Sequence, residues 1–120
     1  MKANTRMTEE QVASFCLDLP GAREDYKWGG VRVFSVAGSK MFAMQNLRGD
    51  SLAFKVDPEL FLGHVDRPGI APAPYLARAH WIIMQAPYPL AAAELQQLLQ
   101  RSHQLVVAKL PKRTQVGLLL

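Results

Sequence analysis

Residues 31–56 read VRVFSVAGSKMFAMQNLRGDSLAFKV. Three runs rich in β-branched and aromatic residues are separated by two turn signals, Gly38-Ser39 and Arg48-Gly49-Asp50. The pattern predicts strands over residues 31–37, 41–47 and 51–56. In the last of these, Leu52, Phe54 and Val56 share one side, and Ser51, Ala53 and Lys55 share the other. The links are too short for a crossover, so neighbouring strands are expected to run antiparallel. Immediately upstream, residues 24–28 read as one more strand, turned by Gly29-Gly30.

Helical signals flank this block. Thr8-Glu9-Glu10-Gln11 has the form of a capping box, and Glu9 and Glu10 suit the positive end of a helix dipole. Val12, Phe15, Cys16 and Leu19 follow on one face, and Pro20-Gly21 ends the helix. Downstream, Asp57 as cap and Pro58 at the first position predict a short helix with Leu60, Phe61 and Val65 on its apolar side. Pro68, Gly69, Pro72 and Pro74 mark residues 67–74 as a loop. Residues 80–85 read as a strand that is apolar on both faces through Trp81, Ile82, Ile83 and Met84, hence central or covered twice. A last helix is expected over residues 90–110, with Leu95, Leu98, Leu99, Ser102, Leu105 and Val106 inward and Pro111 as its stop. The order α-β-β-β-β-α-β-α predicts an α+β two-layer sandwich. An antiparallel sheet of about five strands carries the N- and C-terminal helices on one face, leaving the other to solvent or a partner.

The 120 residues suit a single domain, residues 1–120, with its core at about 8–113 and a tail at 114–120. At 49% hydrophobic and 20% charged, the composition is globular rather than disordered. Cys16 is the only cysteine, which excludes an internal disulfide and a four-cysteine zinc site. The polar start Met1-Lys2-Ala3-Asn4-Thr5-Arg6 leads into no apolar leader core, and no apolar run reaches bilayer length. A cytoplasmic setting with no membrane partner is therefore expected. The net charge of +4 is unevenly spread: residues 1–66 hold eight Lys/Arg and nine Asp/Glu, whereas residues 67–120 hold six Lys/Arg and only Glu94. A basic second half points to an anionic partner such as nucleic acid, although solubility alone accounts for a charge of this size.

Several segments resemble the YjbR/MmcQ family. They are Leu19-Pro20-Gly21 with Glu24-Asp25-Tyr26-Lys27-Trp28-Gly29, then Val33-Phe34 with Gly38 and Lys40-Met41-Phe42, then Lys55 with Asp57-Pro58-Glu59. Tyr75 with His80-Trp81-Ile82 continues the set, as does Ser102-His103 with residues 105–112. The similarity covers residues 8–113. It implies a sandwich like that of frataxin (CyaY) and a DNA-binding role attributed to a double-wing arrangement of strands and loops. The apolar ending Val116, Leu118, Leu119 and Leu120 departs from the family pattern and is read either as packing on the domain or as a contact surface.

No familiar catalytic centre is legible. His64, His80 and His103 lack metal-binding spacing, and Glu9, Glu10 and Asp18 are too few carboxylates for iron handling. No cofactor or metal is expected. Glu24 and Asp25 would point to opposite faces of a strand, so they make no acid/base pair, and Glu24 is read as fixing the following turn. Cys16 is read as a core residue. Trp28, Tyr75, His80 and Trp81 are candidates for ligand contact or for structural roles. Trp28 is read as lying over the core, His80 as opening a strand and anchoring through its ring nitrogens, and His103 as packing at the edge of the helix stripe. An enzyme would instead require a deep pocket joining His80, Tyr75 and an arginine.

The remaining candidates are basic: Lys27 and Arg32 around the Gly-Gly turn, Lys40 after Gly38-Ser39, Arg48 in the next turn, and Lys55 on the outward side of its strand. Arg67 and Arg78 lie in or near the long loop, and Lys109, Lys112 and Arg113 cluster at the end of the last helix. Cations on protruding hairpins reach phosphates. They also solubilise strand edges and complement a helix C-terminus. The expected function is a non-enzymatic DNA-binding module. The alternative is a protein-interaction or small-ligand domain. The oligomeric state is left open, with a monomer slightly favoured.

Overall fold

The computed structural model describes residues 5–48 and 50–120, so Gly49 of the third turn and the start of the polar N-terminus lie outside the described residues. Helix α1 (Glu9–Leu17) opens with the capping box: the Gln11 amide N–H donates to Thr8 Oγ1 at 3.1 Å, and the Thr8 amide donates to Gln11 Oε1 at 2.9 Å. Strands β1 (Arg23–Lys27), β2 (Val31–Val36), β3 (Lys40–Asn46) and β4 (Ser51–Lys55) follow. After a 3-10 turn at Pro58–Leu60 come α2 (Phe61–Val65), β5 (Ala71–Pro72), a second 3-10 turn at Ala77–Ala79 and β6 (Trp81–Gln85). The chain ends in α3 (Ala92–Val107) and α4 (Lys112–Gln115).

The sheet is antiparallel with order β1-β2-β3-β4-β6-β5. It agrees with the architecture expected from the sequence and adds β5, a two-residue edge strand inside the proline-rich loop. Because β4 pairs with β6 across the short α2 segment, β6 lies inside the sheet, as its double-faced apolarity requires.

Helices α1 and α3 cover one face. Val12 and Cys16 meet Phe34, Val36, Phe42, Leu52, Phe54, Ile82, Met84, Leu95 and Leu99 in one core. Burial pushes the Cys16 thiol up to about 12, in keeping with a core residue. The inward stripe of α3 is Leu95, Leu99, Ser102, His103 and Val107, while Leu105 and Val106 are only half-buried. His103, expected at the edge, is therefore fully buried: it follows Leu99 by four residues and occupies the same face. Its Nε2 lies 2.7 Å from the Pro20 carbonyl, and its Nδ1 lies 2.8 Å from Gln104 Nε2. An amide nitrogen can only donate, so Nδ1 is the acceptor and Nε2 carries the proton given to Pro20.

A second correction concerns Asp57. Its side chain makes no capping bond; both carboxylate oxygens accept from the Arg101 guanidinium at 2.7–3.1 Å, which holds its carboxyl below the usual range. The tail after Pro111 also has structure. Gln104 Nε2 donates to the Leu118 carbonyl at 3.0 Å, and Leu118 packs on the core, whereas Val116, Leu119 and Leu120 stay exposed. Gly21 is required beneath it, since its φ is +69° and any Cβ there would run into Leu118 Cδ2.

Candidate nucleic-acid interface

The other face of the sheet is shaped by a register shift. Phe34 pairs with Ala43 and Ser35 pairs with Met41, so Phe42 is an extra residue in β3. Such a bulge breaks the strict alternation of a strand. Phe42 and Ala43 are both buried in the helix-side core, while Met41 and Met44, three residues apart, both reach the opposite face. Ser102 secures the bulge: its hydroxyl donates to the Phe42 carbonyl at 2.6 Å and accepts from the Lys55 amide at 3.0 Å. It thus continues the β3–β4 ladder beyond its last pair, Ala43 with Phe54.

On this second face Ala53, Ala73 and Trp81 form a small buried cluster, with Met41, Met44, Leu76 and Ile83 packed around it. The face is therefore not left fully open, because the segment at 73–80 folds over part of it. Beside this cover lies an apolar groove of about 530 Å³, lined by Trp28, Met41, Met44, Pro74, Tyr75 and Leu76. Trp28 is 66% exposed and Tyr75 fully so. Trp28 was expected over the core; its φ of +50° ahead of Gly29-Gly30 turns the ring outward instead. Tyr75 has φ +66°. Both positive φ values fall at turn positions, Trp28 in the β1–β2 hairpin and Tyr75 after Pro74 in a turn closed by the Leu76 amide on the Ala73 carbonyl at 3.1 Å. Lys27 Nζ lies 6.0 Å from the Trp28 ring centroid.

Met41 and Leu76 also border a shallow cleft of about 330 Å³ holding Lys40, Lys55 and Lys109, with Trp81 on its wall. The three lysines come from β3, β4 and the turn that follows α3. Lys55 Nζ donates to the Ala79 carbonyl at 2.6 Å, and burial, followed by repulsion from Lys109, lowers its pKa. Among the described residues, none that line this cleft is acidic. A third, polar cleft bordered by Arg23, Glu24, Asp25, Lys27 and Ser39 also reaches Met41, which thus lies where all three meet.

The other basic candidates are placed elsewhere. The β1–β2 and β3–β4 turns lie at one end of the antiparallel sheet and the β2–β3 turn at the other, so Arg48 and Lys40 stand at opposite ends. Arg48 lies beside Gly30. Arg32 donates to Glu24 at 2.8 Å and sits over the Tyr26 and Phe34 rings, so Glu24 serves an ion pair rather than the turn. Arg67 is held by both oxygens of Glu94 at 2.6 and 3.0 Å. Arg78 is exposed in the second 3-10 turn, and Lys112 and Arg113 are exposed on α4. His80 ends that 3-10 turn in left-handed backbone just ahead of β6 and packs edge-on against Phe61, 5.6 Å between ring centres. Tyr75 and His80 therefore contact different neighbours. Met41, Met44 and Leu76, which shape the groove, were not among the residues singled out as site candidates, because nothing in an alternating pattern announces a bulge. Among the described residues, no three His, Cys, Asp or Glu side chains gather as metal ligands, and no helix is long and apolar enough to cross a membrane.

The YjbR family model matches residues 17–105. The chain belongs to the YjbR family. The fold is similar to that of a Deinococcus radiodurans protein carrying the DUF419 domain: TM-score 0.83 at 28% identity, covering 98% of this chain and 91% of that one. A Pseudomonas syringae protein is similar in its crystal structure, with TM-score 0.69 at 25% identity, covering 83% of this chain and 99% of that one. A solution structure from the same organism gives TM-score 0.63 at 26% identity, over 83% of this chain and 93% of that one. No curated protein matches the chain.

Proposed function

We propose that this YjbR-family chain is a non-enzymatic DNA-binding module that engages phosphates through Lys40, Lys55 and Lys109. The observation that carries the reading is that these three lysines line one cleft with no acidic residue among its lining, and that Lys109 repels the Lys55 charge. A shared phosphate relieves that repulsion, and an ammonium has three donors, of which Lys55 gives one to Ala79. Of the three, Lys109 belongs to the basic second half of the chain. Arg67 and Arg101 are engaged by Glu94 and Asp57, while Lys109, Lys112 and Arg113 remain grouped near the end of α3.

The test is an anisotropy titration with labelled DNA, in duplex and single-stranded form, at several salt concentrations. Affinity should fall linearly on a log–log salt plot. Lys109→Glu should weaken binding and reduce the slope by roughly one phosphate contact. The absence of binding at low salt, or binding without a salt slope, sinks the proposal.

A further inference from the structure

We infer that the groove between Trp28 and Tyr75 binds single-stranded DNA, stacking a base on these rings while the neighbouring lysine cleft holds the backbone. The inference rests on the DNA-binding reading above and deepens it. Both aromatics are exposed, both are held in left-handed backbone, and both flank one groove whose lining is otherwise Met41, Met44, Pro74 and Leu76. Each ring stands in a hydrogen-bonded turn, Lys27–Gly30 closed by the Gly30 amide on the Lys27 carbonyl and Ala73–Leu76 closed by the Leu76 amide on the Ala73 carbonyl, and the two turns present the exposed rings to the groove. The groove shares Met41 and Leu76 with the cleft of Lys40, Lys55 and Lys109, and Lys27 lies over Trp28. An apolar slot with a lysine cleft along its Met41–Leu76 side complements a polyanion that carries flat, apolar-faced rings.

A duplex keeps those rings stacked on one another, out of reach of a side chain. An unpaired strand presents them, and aromatic platforms beside a basic groove are how such strands are held. A purely apolar peptide would leave the lysine cleft unused, and a free anion would leave the aromatic groove unused.

The experiment compares a fluorescein-labelled oligothymidylate with a hairpin duplex carrying the same number of phosphates, using the full chain. The single strand should bind about tenfold tighter, and it should quench Trp28 emission, because Trp81 is buried and Trp28 is not. Trp28→Ala and Tyr75→Ala should each weaken the single strand by about fivefold or more, the lower end of base–aromatic stacking, with duplex binding unchanged. Trp28→Phe should keep most of the affinity and lose the quenching. The wild-type quenching needs no variant and guards against a misfolded one. Duplex bound as tightly as the single strand, or single-strand binding indifferent to both alanine variants, overturns the groove assignment while leaving DNA binding intact. No binding of either form removes both readings. Light scattering that shows a dimer abolished by Trp28→Ala also overturns the inference, since a second copy then fills the groove.

Discussion

The two faces of the sheet are built from the same strands but solve different problems. The face under α1 and α3 is filled: Phe42, Phe54, Leu95, Leu99 and His103 are all fully buried there. The face beyond Met41 and Met44 is half covered by residues 73–80 and ends in a groove flanked by Trp28 and Tyr75. Large apolar side chains are present on both, so hydrophobicity does not distinguish them. Burial does, and it predicts that substitutions on the first face cost stability while those at the exposed rings of the groove cost binding.

The largest effect is expected at the bulge. Phe42→Ala should lower unfolding free energy by about 3–5 kcal/mol in urea titration, since a fully buried ring leaves a cavity. Ser102→Ala removes no large volume, yet it strips partners from the Phe42 carbonyl and the Lys55 amide, so a loss of about 2 kcal/mol is expected. If Ser102→Ala proves neutral, the bulge is held by packing alone. Acid should weaken the helix face next. Burial lowers the pKa of His103 and also of His64, so the folded chain takes up these protons less readily than the unfolded one. Their contribution is present above the ordinary histidine value of 6.5 and is lost as pH falls below it. Melting temperature should therefore drop between neutral pH and about pH 5, and His103→Gln should flatten that dependence. The smallest stability effect belongs to the groove face. Tyr75→Ala should shift stability by no more than about 0.5 kcal/mol in the same titration, because a fully exposed ring loses no burial. A larger loss would mean that the groove is part of the core after all.

The contrast also separates what could be read in advance. The capping box at Thr8–Gln11, the alternation in 51–56 and the double apolarity of 80–85 are local signals, and each corresponds to an observed element. They work because caps and strand faces depend on residues a few positions apart. Helical spacing places Leu95, Leu99 and Ser102 inward, whereas Leu98, Leu105 and Val106 are only half-buried and the step to His103 and Val107 depends on how the helix is rolled against the sheet. Asp57 illustrates the limit well. Its position before a proline suggested a cap, but a partner 44 residues away took both its oxygens. Arg67 and Glu94, 27 apart, are likewise joined only by folding.

The amino-acid sequence by itself determined the layer architecture, the antiparallel pairing and the identity of the basic and aromatic candidates, because periodicity, turn chemistry and short links act over a few residues of chain. Only the tertiary structure decided which candidates meet. The bulge at Phe42 turns Met41 and Met44 to one face, left-handed backbone turns Trp28 and Tyr75 outward, and packing of α3 brings Lys109 to Lys40 and Lys55. Those outcomes follow from contacts between segments tens of residues apart, whose geometry exists only once the sheet and helices have packed.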